Sequence, residues 1–402
     1  MVEVLFDFIV LGAGISGLAI ATKIKQKHPE ASILILEKEK SLGMHGSGRN
    51  SGVMHSGIYY PENSLKAKVC SSGSKAMVEY CLDRGLPVNR LGKVIVPTNE
   101  KDDGTIDLLY KRAKSNGVTV AILDAQELAD VEPFARSASG RALFSPDTAI
   151  VNPKLILEQL YHDLVGQGVQ FEFESPCISV VVGKSEIQTK NTRYTYGHLI
   201  NATGQFADQL AHIFDVGRRY VLLPFRGSYY KLSEHSGIQL QRLVYPVPDL
   251  NVPFLGVHSV NSIGGISYFG PNAVPAFGRE HYKGLKGASF KEGLSIGYYL
   301  LEQYIRDQQG FRRFSHNEAG RLMKSNFVQA VQKLVPSVKA EYLLPSNKVG
   351  IRAQLLDTET HQLVMDFLVE RREKSTHVLN AVSPAFTSSF SFAEYVIEKM
   401  DY

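Results

Sequence analysis

Gly12, Gly14 and Gly17 stand at G-x-G-x-x-G spacing, and Glu37 follows 20 residues after Gly17. This spacing suits the holding of a pyrophosphate. Gly12 allows a tight turn, Gly14 lets backbone approach the phosphates, and Gly17 lets a helix pack closely on a strand. A helix starting at such a turn aims free N–H groups and its positive end at the anion. Glu37 can accept both hydroxyls of an adenosine ribose and repels a 2′-phosphate. With Ala13, Ile15 and Ser16 completing the turn and Lys38 beside Glu37, these residues predict a dinucleotide site.

The elements around the motif support it. Residues 6–11 are apolar apart from Asp7, as in a strand buried on both faces. Residues 15–28 read as a helix with Leu18, Ala19, Ala21, Thr22 and Ile24 inward, ended by Pro29. Residues 32–36 form a second apolar strand, which completes a βαβ unit. Further along, residues 41–58 are a loop rich in Gly, Ser and His, and 65–85 and 155–166 read as helices. Short strands are expected at 94–97 and 118–123, and strands at hairpin spacing at 169–173, 177–182 and 186–189. Residues 220–275 suit an antiparallel sheet and 290–337 are mostly helical. The chain closes with a strand at 377–380, a turn at 381–385 and a helix from 386 to about 399.

Two more segments let backbone approach a ligand closely. The apolar strand 198–202 runs into Ala202, Thr203 and Gly204, with Asp208 in the next helix. Ser383, Pro384 and Ala385 precede the last helix, whose positive end would suit the flavin pyrimidine. An extended FAD touching three separated segments explains this better than NAD does. The expected fold is α/β (α+β overall). It comprises a Rossmann-like FAD-binding domain at 1–85, 146–215 and 340–402, and a discontinuous antiparallel-sheet substrate domain at 86–145 and 216–339.

Composition excludes other classes. The chain has 402 residues, 44% hydrophobic and 21% charged, enough to bury sizeable cores without staples. A net charge of +4 is weak at this length and forms no basic stripe, so no nucleic-acid partner is expected. The three cysteines lack metal-ligand spacing, and no metal is expected; their sparse, odd count fits a reducing compartment. With no leader pattern and no long apolar run, a cytoplasmic protein is expected.

The segment from His45 to Tyr60 (HGSGRNSGVMHSGIYY), with Ser64-Leu65-Lys66-Ala67-Lys68, resembles the flavin loop of the L-2-hydroxyglutarate dehydrogenase/oxidase family. That family lies within the D-amino-acid-oxidase-like flavoproteins. Pro224-Phe225-Arg226-Gly227, Tyr245-Pro246-Val247-Pro248-Asp249, Pro253-Phe254-Leu255-Gly256-Val257-His258, Gly270-Pro271-Asn272-Ala273 and Gly350-Ile351-Arg352-Ala353-Gln354 extend the match along nearly the whole chain. The resemblance implies FAD-dependent oxidation of an L-2-hydroxy acid to a 2-oxo acid, with L-2-hydroxyglutarate as the best substrate. It also implies FAD contacts from His45, Ser47, Gly48, Arg49, Asn50, Ser51, Gly52, Val53, Ile178, Phe386 and Thr387, besides the three segments above.

The reaction needs a base that titrates near neutrality, which favours histidine. The match to glycerol-3-phosphate oxidases selects His55, with His258 second. An arginine fork suits a carboxylate. The relatives' Gly-x-Arg string matches Arg352, which also counts among the cofactor contacts, and Arg226 is a second arginine for the substrate. Tyr60 and Tyr268 complete the expected substrate side. The chain departs from the family at Arg49 (usually His), Gly278 (Lys), Val382 (Pro) and Phe386 (a small residue), which bears on the pocket for a distal carboxylate.

Competing readings are an amino-acid, amine or glycerol-3-phosphate oxidase on the same scaffold, and a non-catalytic FAD-binding redox protein. Quinone and oxygen both stand as acceptors. Residues 290–314 combine Tyr298, Tyr299, Leu301, Tyr304 and Ile305 with Lys291, Arg306, Arg312 and Arg313. Such a stretch either packs inside the substrate domain or makes peripheral contact with the inner membrane.

Overall fold

In a computed structural model, which describes residues 3–284 and 286–400, the opening βαβ unit forms as read. β1 (Glu3–Leu11) and β2 (Ile33–Leu36) flank α1 (Ile15–Lys27). β1 pairs in parallel with β2 and with Arg193–Asn201, and Ser375–Asn380 adds in parallel to the latter. The carboxyl ends of four parallel strands therefore share one edge of the sheet, where open α/β sheets bind ligands. One apolar core joins α1, Leu65–Asp83, Pro153–Gly166 and Ser389–Met400 on one face. A second, including Phe6, Leu199, Leu210 and Leu355, covers the other.

The glycine turn works by close approach. Gly12 has φ +105°, and a Cβ there would lie 2.6 Å from the Ala202 carbonyl oxygen. A Cβ on Gly17 would lie 2.0 Å from the Gly12 carbonyl oxygen, so α1 could not seat on β1.

An antiparallel sheet carries the other half. Tyr220–Leu232 pairs with Leu343–Asp357 along their whole length, with a bulge between Ser228 and Tyr230. Ser267–Gly270 and His258–Asn261 extend the sheet. Residues 343–357, expected in the FAD-binding half, pair in this antiparallel sheet. Their alternation is interrupted by Pro345 and by the charged residues Lys348 and Arg352.

Two other pairings differ from expectation. Gln170–Glu172 adds in parallel to β2 and takes no part in a hairpin with Ser179–Val181. Leu243–Pro246, expected as antiparallel, runs parallel to Lys93–Val96 in a separate four-stranded sheet. Both are long-range choices that local pattern does not encode. The last helix starts at Ser389, three residues later than expected, because residues 383–388 form a turn.

Candidate active site

A cavity of about 910 Å³ runs along the carboxyl edge of the parallel sheet and under the antiparallel sheet. Glu37, the Gly12–Ser16 turn, Ala202, Thr203 and Gly204 line it, as do Arg352, His55 and His258.

The nucleotide side is built from backbone donors. Gly14 caps α1 without any side-chain cap, so the helix start is not closed by its own chain. Ser47 Oγ accepts the Ile15 N–H at 3.0 Å and ties the 45–53 loop to the turn. The two oxygens of Glu37 accept the Ala13 and Glu39 N–H groups at 3.0 and 2.9 Å. Each keeps a lone pair for a ribose hydroxyl. Lys38, Ser47, Arg49, Asn50, Ser51, Val53, Ser383, Pro384, Ala385, Phe386 and Thr387 also line the cavity.

His45 lines it too, but its ring is engaged by protein. Nδ1 meets the Tyr282 hydroxyl at 2.8 Å and Nε2 meets Glu39 Oε1 at 2.9 Å. Lys38 bridges Glu39 and Glu280 beside it, so a cation already sits among these groups. Those contacts hold the Glu39 carboxyl below its ordinary range. Arg49 donates Nε–H to the Met44 carbonyl at 2.6 Å and stacks its guanidinium over Tyr282, 4.3 Å from the ring centre.

Several expected contacts fall elsewhere. Ile178 is 61% exposed, and its neighbour Cys177 lines the cavity instead. Gly17, Gly48 and Gly52 pack against backbone behind the wall. Arg226 pairs across the sheet with Ile351, and Arg352 with Phe225. Strand alternation therefore sends the two arginines to opposite faces, and Arg226 is absent from the lining. Tyr268 packs under the sheet, 5.1 Å from Lys348 Nζ, and is also off the wall. Asp208 is engaged by Arg279. Gly278 cannot carry the family's lysine in this backbone, since a Cβ would lie 2.1 Å from the Gly287 carbonyl oxygen.

The substrate side brings together Tyr60, His55, His258 and Arg352, joined by Tyr59, Tyr229, Tyr245 and Lys66, which sequence reasoning missed. The Tyr245 and Tyr59 strings had been noted, but nothing local shows that both rings face one cavity. Arg352 is half-buried, and its one hydrogen bond among the described residues is a long 3.4 Å approach of Nη1 to the Asn272 carbonyl. Partial desolvation lowers its affinity for the proton; Glu318 acts on it electrostatically, but no carboxylate forms an ion pair with it among the described residues. A desolvated guanidinium without an ion pair is costly, which suits the place of an anionic ligand.

The two histidines differ in what fixes them. His258 Nδ1 lies 2.7 Å from the Gly256 carbonyl, so the proton sits on Nδ1 and Nε2 keeps its lone pair. Its ring stacks on Tyr245 at 4.1 Å. His55 Nδ1 is buried with no partner. An orphaned acceptor is cheaper than an orphaned N–H, so the proton belongs on Nε2. The His55 backbone is pinned by its N–H to Thr387 Oγ1 at 3.2 Å and by the Cys70 thiol on its carbonyl. Burial first, then neighbouring positive charge, depresses both imidazoles to about 3.

The donor set suits a bound FAD: an uncapped helix start for the pyrophosphate, Glu37 for the ribose, and a cavity long enough to reach the histidines. The FAD dependent oxidoreductase family model matches residues 7–399. L-2-hydroxyglutarate dehydrogenase of Indibacter alkaliphilus is 36% identical, over 98% of both chains. The protein of that name from Escherichia coli K12 is 32% identical over 98% of this chain and 93% of its own. Among solved structures, FAD-bound L-alpha-glycerophosphate oxidase from Mycoplasma pneumoniae superposes with a TM-score of 0.78 at 19% identity, covering 99% and 95% of the two chains. The chain belongs to the FAD-dependent oxidoreductase family, in its L-2-hydroxyglutarate dehydrogenase branch.

Proposed function

We propose that this enzyme oxidises L-2-hydroxyglutarate to 2-oxoglutarate. The observation that carries this is Arg352, a half-buried guanidinium on the cavity wall with no ion pair among the described residues, beside two histidines whose ring nitrogens are set differently. Relatives at 31–36% identity bearing that activity's name support the substrate choice over an amino acid or glycerol 3-phosphate.

Arg352 fixes the carboxylate next to the carbinol carbon and so orients its C–H. His258 Nε2 takes the hydroxyl proton, while His55 Nε2–H donates to the same oxygen. Binding a dianion raises the proton affinity of His258 from its depressed value toward the working pH. FAD, when bound, supplies the two-electron acceptor for the hydride. The tyrosine wall and the His55 loop keep bulk water from the carbinol.

The test is anaerobic titration of the FAD-loaded protein with L-2-hydroxyglutarate, read by bleaching of the oxidised-flavin band. His258→Asn should slow reduction by about 10²–10⁴-fold with FAD retained, and His55→Asn by less. A wild-type protein that stays oxidised rejects the substrate. Wild-type rates in His258→Asn reject the base.

No helix among the described residues is long and apolar enough to cross a membrane. The reading includes a cytoplasmic protein with peripheral contact to an anionic bilayer through the helix Phe290–Arg306, and quinone as acceptor.

A further inference from the structure

Two buried lysines at the cavity have no ion pair among the described residues. Lys66 lines it at 6% exposure, with Nζ 5.7 Å from the ring centres of both Tyr60 and Phe367. Asp366, which also lines the cavity, acts on Lys66 electrostatically but forms no ion pair with it. Its oxygens accept the Leu65, Lys66 and Phe367 N–H groups at 2.7, 2.9 and 2.8 Å, at the start of the helix Leu65–Asp83.

Lys93 is 1% exposed, and its Nζ lies 4.7 Å from the Tyr59 ring centre and 5.2 Å from that of Tyr245. The hydroxyls of both tyrosines are buried without partners. Neither lysine has an ion pair among the described residues. Burial lowers Lys66 to about 8 and Lys93 to about 7, partly offset at Lys66 by Asp366; Cys70 interacts electrostatically with both, but burial pushes its thiol up to about 12, so it is no counter-anion.

Their placement relative to Arg352 is informative. Arg352 and Lys93 both repel a proton on His258, and Lys93 also repels one on His55. Both charges therefore act on His258, and Arg352, Lys66 and the two histidines line one cavity. A monocarboxylate held at Arg352 leaves both lysines without an ion pair; a second carboxylate on the same substrate supplies one.

We propose that Lys66 and Lys93 form the subsite for the second carboxylate, Lys66 by direct contact and Lys93 from behind the Tyr59 and Tyr245 rings. This rests on the hydroxy-acid reading and names the residues that make it selective for a diacid.

The FAD-loaded protein is titrated anaerobically with L-2-hydroxyglutarate and with L-2-hydroxypentanoate, which ends in a methyl group. Losing one charge-assisted contact should lower the diacid-to-monoacid ratio of second-order flavin-reduction rate constants by about 30-fold in Lys66→Met and about tenfold in Lys93→Met. Lys66→Arg should restore most of it. Should Lys66→Met fail to hold FAD, Lys66→Gln and Lys93→Met carry the same comparison. Wild-type ratios in the variants, or equal losses on both substrates, overturn the subsite while leaving the hydroxy-acid reading intact. A wild-type flavin that the monoacid reduces as well as the diacid overturns the subsite directly. A wild-type flavin reduced by neither acid rejects both readings.

Discussion

Arg279 and Asp208 form a buried two-pronged pair, with Nη1 to Oδ1 at 2.6 Å and Nη2 to Oδ2 at 2.9 Å. Asp208 sits in the helix Ala207–Ile213 that follows the nucleotide-side strand, and it also accepts the Leu222 N–H at 3.0 Å. Arg279 sits in the loop after the antiparallel sheet. The pair therefore fastens that loop to the nucleotide layer, and its neighbour Glu280 reaches Lys38 in the cavity wall. Removing one partner leaves the other charge buried. Arg279→Ala should cost about 3–5 kcal/mol, read by urea unfolding of the FAD-loaded protein. A double change of Arg279→Met with Asp208→Leu should recover part of that loss.

Glu37 makes a separable prediction. Its carboxylate accepts two backbone N–H groups and leaves lone pairs on the cavity side. Glu37→Gln keeps the shape but puts a donor where an acceptor is needed. FAD affinity should fall about 10- to 100-fold, measured by flavin fluorescence on dialysis. Gly17→Ala should abolish FAD retention, because the added Cβ would meet the Gly12 carbonyl oxygen.

Much of this site was legible in the sequence, but unevenly. The glycine turn and Glu37 were legible because they lie within one local unit whose spacing encodes the chemistry. His55, His258 and Arg352 were found through family strings, and the structure brings them to one cavity. Arg226 was misread because a string does not give strand parity: one residue's shift turns a side chain to the other face. Lys66 lay inside a noted string, yet a lysine in a helix start reads as solvated until tertiary packing buries it. The strand Leu343–Asp357 was misassigned because its partner lies more than a hundred residues earlier.

Acid should weaken the fold in a window set by histidines. His55 and His258 are depressed to about 3, and His198 and His377 to about 4, each chiefly by burial. The unfolded chain protonates these rings near 6.5, while the folded chain does not. The unfolded state then binds more protons, so stability falls as pH drops from 6.5 toward these values. Between pH 6.5 and 5 the carboxylates stay ionised and the histidines dominate. Each can contribute up to about 1.4 kcal/mol per pH unit. Urea unfolding of the FAD-loaded protein across this range should show the slope, and His258→Asn should reduce it by up to one histidine's share. An unchanged slope would mean that His258 is protonated in the folded state.

The helix Phe290–Arg306 turns its apolar stripe outward. Phe290, Leu294, Tyr298, Leu301 and Ile305 recur at spacings of three and four, and are 59–86% exposed. Only Ile296 and Gln303 on this helix are buried. Its acids are neutralised internally: Glu292 faces Arg279, and Glu302 faces Arg306 and His361. Lys291 on the helix and Arg312, which meets Tyr304 and Ile305, remain exposed without ion pairs among the described residues, as do Lys283 and Lys286 in the preceding loop. An apolar stripe rimmed by free cations is complementary to an anionic bilayer, which takes the rings into its interface and the ammonium groups against its phosphates. The protein should float with vesicles containing about a third phosphatidylglycerol and float less with pure phosphatidylcholine. Leu294→Glu with Leu301→Glu should abolish flotation while leaving flavin reduction by substrate at the wild-type rate, because this face lies away from the cavity. Wild-type protein that stays entirely in the unbound fraction would assign the stripe to something other than lipid.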